Sequence, residues 1–377
     1  MKRTIALVFH PPTPAGDLTE LVGAARRAAT EDLIANLRSL GIPSILSTPA
    51  VEAPFLRDLD AEIHESAPGT DFHFGRTLHR ILRETKADAV LYFGSGSGCL
   101  LETRHLERLA QFIERSDAAV LLNNFYSCDF AAISDVASIA AIDPPGTDNA
   151  LGFALADAGI ACHALPRDAA SQFDIDVPID LLLLKAFERG GPRLRGVLAT
   201  WGYEHPSLEA LCQCLTNRTA LVQLGGRIQP ATWQAFEQAT ACRTAGFSEG
   251  RGLRSYPDRR TPLLQGILST ESGAFFDRLE AACDAAILDT RALLPLAPGG
   301  RLPPAADRFA SDLFLSSRVQ DPHWRAFTEA AAESAIPLLL GGHNLVSGGL
   351  FLLADVCWKG RNLPRRLHPD PFSWKEE

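Results

Sequence analysis

Short apolar runs alternate with longer amphipathic stretches along this chain, and the alternation limits the folds that it can adopt. The first run, residues 5–9, is followed by helical spacing over 18–40, a glycine suited to end that helix at Gly41, and a second run over 42–46. Consecutive parallel strands need a crossover connection, which a helix supplies. Residues 1–190 are therefore predicted to form an open, mainly parallel α/β sheet flanked by helices.

The same alternation continues to residue 340. In the first half the predicted strands are 87–93, 118–123 and 161–165, the predicted helices are 75–84, 102–115, 150–158 and 180–187, and 54–74 is predicted to be irregular. In the second half the predicted strands are 220–224, 242–247, 285–288 and 336–340, and the predicted helices are 206–215, 230–239 and 323–334. The segment 189–192 is the predicted linker. The expected domains are 1–190 and 191–360, both α/β, followed by an extended tail, 361–377, that packs on the surface or on a neighbouring molecule.

Composition excludes several classes of function. The formal net charge is -9, and no run of lysine and arginine could follow a nucleic-acid backbone, so no nucleic-acid partner is expected. The apolar runs are far shorter than the roughly 20 residues of a membrane helix. The eight cysteines form no C-x-x-C pair, which favours reduced thiols. We therefore expect a cytoplasmic protein with a small-molecule ligand and no membrane partner; self-association as a homo-oligomer stays open.

Candidate binding residues follow the predicted strands, because ligands of open α/β sheets bind beyond the carboxyl ends of the strands. The predicted strand exits in the first half are 10–17, 94–98, 123–129 and 173–181. The second of these, which we call the glycine–serine loop, consists of Gly94, Ser95, Gly96, Ser97 and Gly98. Three glycines let backbone amides approach a phosphate closely, and they serve a plain tight turn equally well.

Carboxylates and amides occupy the last two exits. Asp174 and Asp176 could ligate Mg²⁺ or Mn²⁺ if the chain bends before Pro178; alternatively, Asp176 and Asp180 cap the helix that starts near this proline. Asn123 and Asn124 could bind a base or a sugar, and Asp129 a metal or a ribose; the alternative for these three is a network of Asx turns.

The segment 173–181, Phe-Asp-Ile-Asp-Val-Pro-Ile-Asp-Leu, resembles the D-[IV]-D-T-P-E-D-L ending of GT-A-type nucleotidyltransferases. That group includes molybdenum-cofactor nucleotidyltransferases and phospholactate guanylyltransferases. The resemblance covers residues 1–190 and implies a nucleotidyltransferase-like or glycosyltransferase-like enzyme. It implies a nucleotide or nucleotide-sugar ligand and a divalent metal on Asp174 and Asp176, with Asp129 as a further catalytic candidate.

Two features depart from the family pattern. The family's opening loop carries arginine and lysine for the triphosphate, whereas this chain is rich in proline there, so Arg26 and Arg27 would have to take that role. The acidic metal loop after the middle strand is replaced by the glycine–serine loop, which has no carboxylate. These departures favour the alternative hypothesis of a catalytically inactive nucleotide- or metabolite-binding protein that has kept the fold.

The second half offers a separate group of polar strand exits without a family resemblance. Its candidate site residues are Glu249, Arg251, Asp289, Arg291, His343, Asn344 and Ser347, with Arg227 as an additional basic residue. The arginines could hold a carboxylate or phosphate, and His343 could act as an acid or base. Alternatively, Asp289 with Arg291 and Glu249 with Arg251 form local ion pairs.

Overall fold

The computed structural model describes residues 2–66, 71–250, 272–294 and 302–360. These residues form two compact units: the first runs to Tyr203 and the second begins at Glu204. Within the first unit, the helix that begins at Pro192 is held at its amino end by Asp32, whose carboxylate accepts hydrogen bonds from the backbone N–H of Arg193 and Leu194 at 3.1 and 3.0 Å. The predicted domain division after residue 190 stays a prediction.

A seven-stranded sheet forms the centre of the first unit. Its strands are β1 (Thr4–Phe9), β2 (Ser44–Pro49), β3 (Glu62–Ser66), β4 (Ala89–Gly94), β5 (Ala119–Leu122), β6 (Phe130–Ile133) and β7 (Ala161–Ala164). Their order is β3-β2-β1-β4-β6-β5-β7. Strand β6 pairs antiparallel with β4 and β5, and every other pairing is parallel. The predicted open, mainly parallel sheet is confirmed.

Helices cover both faces of this sheet. They are α1 (Asp17–Ser39), α2 (Phe74–Thr85), α3 (Thr103–Arg115), α4 (Val136–Ala140), α5 (Leu151–Asp157), α6 (Ala169–Gln172), α7 (Pro178–Ala186) and α8 (Pro192–Ala199). Neighbouring residues of a strand enter opposite cores: Leu7 and Tyr92 pack in one apolar cluster, and Val8 and Phe93 in the other. Burial on both faces explains the continuous apolar runs of the central strands.

Three expectations for the first half were wrong. The segment 54–74, predicted to be irregular, contains β3, a polar edge strand without an apolar run. Strand β6 was missed because it is only four residues long and directly follows a polar loop. The exit at 173–181 follows the short helix α6 instead of a strand.

The second unit has a four-stranded parallel sheet, which confirms the α/β class expected for this half. Its strands are β8 (Leu221–Gly226), β9 (Arg243–Ser248), β10 (Ala285–Asp289) and β11 (Leu338–Gly341), in the order β11-β10-β8-β9. Its helices are α9 (Leu208–Leu215), α10 (Pro230–Ala239), α11 (Ser272–Ala282), α12 (Thr290–Leu293), α13 (Ala305–Asp312), α14 (Pro322–Glu333) and α15 (Gly348–Val356). None of the helices in the described ranges is long and apolar enough to cross a membrane.

In each sheet the chain first adds strands on one side of its first strand and then crosses to the other side, and we call this place the reversal point. In the first unit β1 to β3 are added on one side and β4 returns to the other side of β1; in the second unit β9 lies on one side of β8 and β10 on the other. Crevices at such reversal points are the usual ligand sites of open α/β sheets. The residues directly after β1 and β4, and after β8 and β10, are therefore the places to look for a functional site.

Candidate functional site

The reversal point of the first sheet places His10 beside Ser95. These residues directly follow β1 and β4, and the ladder extends to them because the Ser95 N–H donates to Phe9 O at 2.9 Å. The Ser95 Oγ lies 2.8 Å from His10 Nδ1, and both residues are buried. No ligand spacing in the sequence singles out His10, so its place at the centre of the sheet edge is a finding of the structure.

The glycine–serine loop turns back over the β4 end and faces an acidic side chain. Gly96 has φ +95°, a left-handed conformation that suits glycine, and a Cβ at this position would lie 2.9 Å from Asp174 Oδ1. The Ser97 hydroxyl contacts Gly94 O at 2.7 Å and Asp129 O at 3.0 Å. Because the loop is closed on itself and faces a carboxylate, a phosphate would need a cation between them to bind here.

Three predicted carboxylates lie close together at this loop. Burial, followed by the charges of Asp176 and Asp129, raises the pKa of Asp174 well above its ordinary value, and Arg26 opposes the rise. The charges of Asp129 and Asp176 thus act on Asp174, as the metal hypothesis requires. In the described ranges, however, no group of three or more histidine, cysteine, aspartate or glutamate side chains has metal-binding geometry.

Asn123 positions Asp129. Its Nδ2 donates to Asp129 Oδ2 and to Ser171 O, both at 3.0 Å, and its Oδ1 accepts from the backbone N–H of Asp129 at 2.9 Å and of Phe130 at 3.2 Å. Both donors and both acceptor directions of the amide are thus engaged. Asn123 links the loop at 123–129 to the segment that leads to Asp174.

Asn124 forms a turn, as the alternative hypothesis expects. Its Oδ1 accepts from Tyr126 N at 3.1 Å, an Asx turn, and its Nδ2 donates to Gln172 Oε1 at 3.3 Å.

Nearby, Tyr92 OH donates to Asp148 Oδ2 at 3.2 Å, and burial raises the pKa of Asp148.

The bend before Pro178 is stabilised by Asp180. Its Oδ2 accepts from the backbone N–H of Asp176 and Val177, both at 2.8 Å, and so caps α7. The side chain of Asp176 is exposed and contacts Arg26 Nη2 at 3.0 Å. Of the two carboxylates considered as caps, only Asp180 has that role, and Asp174 and Asp176 both remain near the loop.

The two arginines of α1 already contact protein groups. Arg26 Nε donates to Ile175 O at 2.6 Å, which fixes α1 to the acidic segment. Arg27 Nη1 lies 3.2 Å from Glu52 Oε2, and its guanidinium stands over the ring of Phe55 at 5.0 Å. Both side chains are about one-fifth exposed. They form part of the wall of the site, and only Arg26 contacts the predicted metal-binding residues.

Glu52 is a site residue that the sequence did not indicate. It is buried, its Oε1 accepts from Thr13 N at 2.7 Å, and its Oε2 lies 3.8 Å from His10 Nε2. It follows β2 and precedes the segment 54–74 that was predicted to be irregular, and no motif singles it out.

In the second unit, the charged candidates form ion pairs across the sheet edge. Asp289 pairs with Arg227 through both oxygens, at 2.6 and 3.0 Å, and Arg291 pairs with Asp312. The predicted local pair of Asp289 with Arg291 is therefore wrong, because each residue has a partner distant in sequence. Asp289, Asp312 and Arg291 are buried.

The remaining described candidates of the second unit follow β9 and β11. Glu249 N donates to Gly226 O at 2.8 Å, and Asn344 and Ser347 are buried in the turn after β11, where Ser347 N donates to Asn344 O at 3.0 Å. His343 lies at the start of the same turn. Arg251 and the tail 361–377 lie outside the described residues.

Comparison with known proteins gives matches among solved structures alone. No family model and no curated protein matches the chain. It is similar to a protein from Desulfovibrio desulfuricans G20 provisionally assigned as a nucleotide-diphospho-sugar transferase, with 17% identity over 53% of this chain and 95% of that one, and a TM-score of 0.39. It is also similar to a cytidylyltransferase from Leptospira borgpetersenii, with 11% identity over 54% of this chain and 100% of that one, and a TM-score of 0.37.

A third match is 4-diphosphocytidyl-2C-methyl-D-erythritol synthase from Anaerococcus prevotii, with 11% identity over 50% of this chain and 98% of that one, and a TM-score of 0.36. These matches cover about half of the chain. At these identities and TM-scores, the activities of those proteins say nothing about the activity of this chain.

Proposed function

We propose that the first unit binds a nucleotide or nucleotide-sugar together with a divalent metal, and that it catalyses nucleotidyl or glycosyl transfer. The observation that carries this proposal is the cluster of Asp129, Asp174 and Asp176 around the glycine–serine loop. Burial and, after it, the charges of Asp176 and Asp129 raise the pKa of Asp174, so an ionised Asp174 is unfavourable for the folded protein alone. A divalent cation would turn the same arrangement into an attractive one.

The donor set suits a magnesium ion that keeps part of its ligands from the substrate. Mg²⁺ is commonly bound by one or two carboxylates together with phosphate oxygens and water. Asp174 and Asp176 are the two carboxylates that would hold it, and Asn123 would keep Asp129 in place beside them. The bound ion would neutralise charge on the phosphate oxygens during transfer.

The side chains of this unit would then orient the ligand. Arg26 holds Asp176 and the backbone of Ile175, so it keeps the acidic segment against α1. Arg27 is about one-fifth exposed beside Thr13 and Glu52, where its guanidinium could approach a phosphate or a carboxylate. The engagement of both arginines with protein groups makes them positioning residues in this proposal.

The proposal is tested by thermal unfolding with each nucleoside triphosphate, with and without Mg²⁺ or Mn²⁺. A ligand present at 100 times its dissociation constant stabilises a protein by about 2.7 kcal/mol. We expect a stabilisation by at least one nucleotide that requires the metal, and its loss in Asp174→Asn. Asp117→Asn, an exposed residue before β5, is the matched control and should keep the full stabilisation. A lack of metal-dependent stabilisation with all nucleotides would contradict the proposal.

A further inference from the structure

Ser95, His10 and Glu52 form a continuous chain of polar contacts at the reversal point of the first sheet. Ser95 Oγ lies 2.8 Å from His10 Nδ1, and His10 Nε2 lies 3.8 Å from Glu52 Oε2. The three residues come from three different segments, after β4, β1 and β2. A nucleophile beside a base that is in turn oriented by a third group is the arrangement that activates serine hydroxyls.

Glu52 is held in a fixed position behind the imidazole. Its Oε1 accepts from Thr13 N at 2.7 Å, and Arg27 Nη1 lies 3.2 Å from its Oε2. The glutamate side chain is 4% exposed, so solvent screens its charge weakly. Its carboxylate lies 3.8 Å from Nε2, and a neutral imidazole with its proton on Nε2 would leave Nδ1 to accept the hydrogen bond from the Ser95 hydroxyl.

The charged groups that face His10 come from two elements. Glu52 lies after β2, and Arg26 and Arg27 lie on α1. Burial lowers the pKa of His10 to about 4; Glu52 opposes this effect, and Arg26 and Arg27 add to it. His10 is therefore neutral at a pH above about 4, the form in which one ring nitrogen can accept a hydrogen bond.

Ser95 is the neighbour in sequence of the residue that faces the proposed metal site. It is buried at the reversal point, with 9% of its surface exposed, and the next residue, Gly96, lies against Asp174.

We propose that Ser95 is a nucleophile, activated by His10 and Glu52, that forms a covalent ester with the phosphorus of a phosphoric anhydride or ester. The identity of the substrate as a nucleotide rests on the proposed function; the reactivity of Ser95 does not. In the first step Oγ forms a bond to phosphorus, its proton moves to Nδ1 of His10, and the bond from phosphorus to the leaving group breaks with its electron pair. His10 passes the proton to the departing group.

An acceptor hydroxyl or water then completes the transfer. Its oxygen attacks the phosphorus, its proton moves to His10, and the Oγ–phosphorus bond breaks. Ser95 recovers its hydroxyl when His10 returns this proton. General-base assistance of this kind typically contributes about 10² to 10⁴ in rate.

The test uses diisopropyl fluorophosphate, a neutral phosphorus electrophile that needs neither metal nor nucleotide. The full-length protein is incubated with the reagent, and the adduct is measured by intact mass and located by peptide mapping. We expect one adduct on Ser95, none at this site in Ser95→Ala, and a rate at least about 100 times lower in His10→Asn. Ser138→Ala removes another buried serine hydroxyl, on α4, and should leave the rate unchanged.

Two further measurements separate the outcomes. The labelling rate should rise as pH increases through about 4 and then level off, because only neutral His10 accepts the proton. Melting curves verify that His10→Asn is folded at the assay temperature.

Labelling of Ser95 at equal rates in the wild type and in folded His10→Asn, or no labelling of Ser95 at all, would overturn the proposal. Metal-dependent nucleotide binding without a Ser95 adduct would refute this inference and leave the proposed function intact.

Discussion

The two sheets of this protein reverse direction in the same way, and their carboxyl edges carry charges in opposite arrangements. In the second unit each buried carboxylate at the edge has an arginine partner, Asp289 with Arg227 and Asp312 with Arg291. In the first unit Asp174 lies beside Asp129 and Asp176, whose charges act against its ionisation. The same topology thus has one edge where charge is balanced within the protein and one where carboxylates gather.

This difference separates a structural use of charge from a functional one. A buried ion pair that satisfies both partners leaves little binding capacity for a ligand, whereas clustered carboxylates favour a cation. A glycine with positive φ approaches the carboxylate in both units, Gly96 at Asp174 and Gly226 at Asp289. Both units thus have a glycine against an aspartate, and the charges around that aspartate differ between the two units.

The largest expected effect concerns the buried pair in the second unit. Arg291→Leu removes the guanidinium that opposes the rise in the pKa of Asp312 caused by burial, and it should destabilise the protein by about 3–5 kcal/mol. Urea denaturation measures the change. The double variant Arg291→Leu with Asp312→Leu should recover part of the loss, because no buried carboxyl is left without its partner. A loss of stability below about 1 kcal/mol in the single variant would contradict the structural role of the Arg291–Asp312 pair.

The next largest effect is the pH dependence that His10 gives to the free energy of unfolding of the first unit. The pKa of His10 is lowered to about 4 in the folded protein and is about 6.5 in an unfolded chain, so the unfolded state binds more protons between these values. The free energy of unfolding should therefore fall as pH decreases from 6.5 to 4, by about 3 kcal/mol from this residue. This part of the decrease should vanish in His10→Asn. An NMR titration of His10 with a midpoint near 6.5 would contradict the burial of its imidazole.

A smaller effect tests the glycine that approaches the carboxylate in each unit. Gly96→Ala and Gly226→Ala both place a Cβ against an aspartate, at 2.9 Å from Asp174 Oδ1 and 2.3 Å from Asp289 Cβ. Gly41→Ala is the control, because Gly41 also has positive φ and no atom lies within 4 Å of its added Cβ. Backbone strain alone costs about 1–2 kcal/mol. The free energy of unfolding should drop by more than this in Gly96→Ala and Gly226→Ala. Equal losses in all three variants would show that the structure accommodates the added Cβ atoms without further loss of stability.

The smallest effect is the pH dependence that Asp174 contributes. Its pKa is raised in the folded protein, so the folded state binds more protons than the unfolded state between pH 4 and the raised pKa. The stability contributed by this group is present at low pH and falls as pH increases through that window. In Asp174→Asn this decrease should disappear, which denaturation in metal-free buffer from pH 4 to 8 can show. A curve parallel to that of the wild type would mean that neither burial nor the neighbouring charges raise the pKa of Asp174.

Local sequence patterns predicted most of the fold and only part of the site. The strands β1, β4 and β10 were predicted because they are buried on both faces and read as apolar runs. Strand β3, with the sequence Glu-Ile-His-Glu-Ser, has no such run, since edge strands need little apolar surface. The strand exit after β4 located the glycine–serine loop, because the position of a strand end follows from the strand itself. Asp174 was singled out by its motif, although the segment before it is helix α6 and not a strand.

The partners of the site residues depend on tertiary packing and carry no local signal. Glu52 and His10 meet only because β2 lies beside β1, and nothing around Glu52 in sequence marks it as a contact of the histidine. Arg227 and Asp289 are 62 residues apart and pair because β8 lies beside β10. The sequence-based expectation of local pairing was wrong for Asp289 for this reason.

The position of a metal ion tests the central claim most directly. A crystal of the full-length protein, soaked with a nucleoside triphosphate and Mn²⁺, is measured at a wavelength where manganese scatters anomalously. The claim predicts an anomalous peak within ligand distance of Asp174 or Asp176, beside the glycine–serine loop. Bound nucleotide with no peak there, or with manganese bound only at another place on the chain, would contradict the claim.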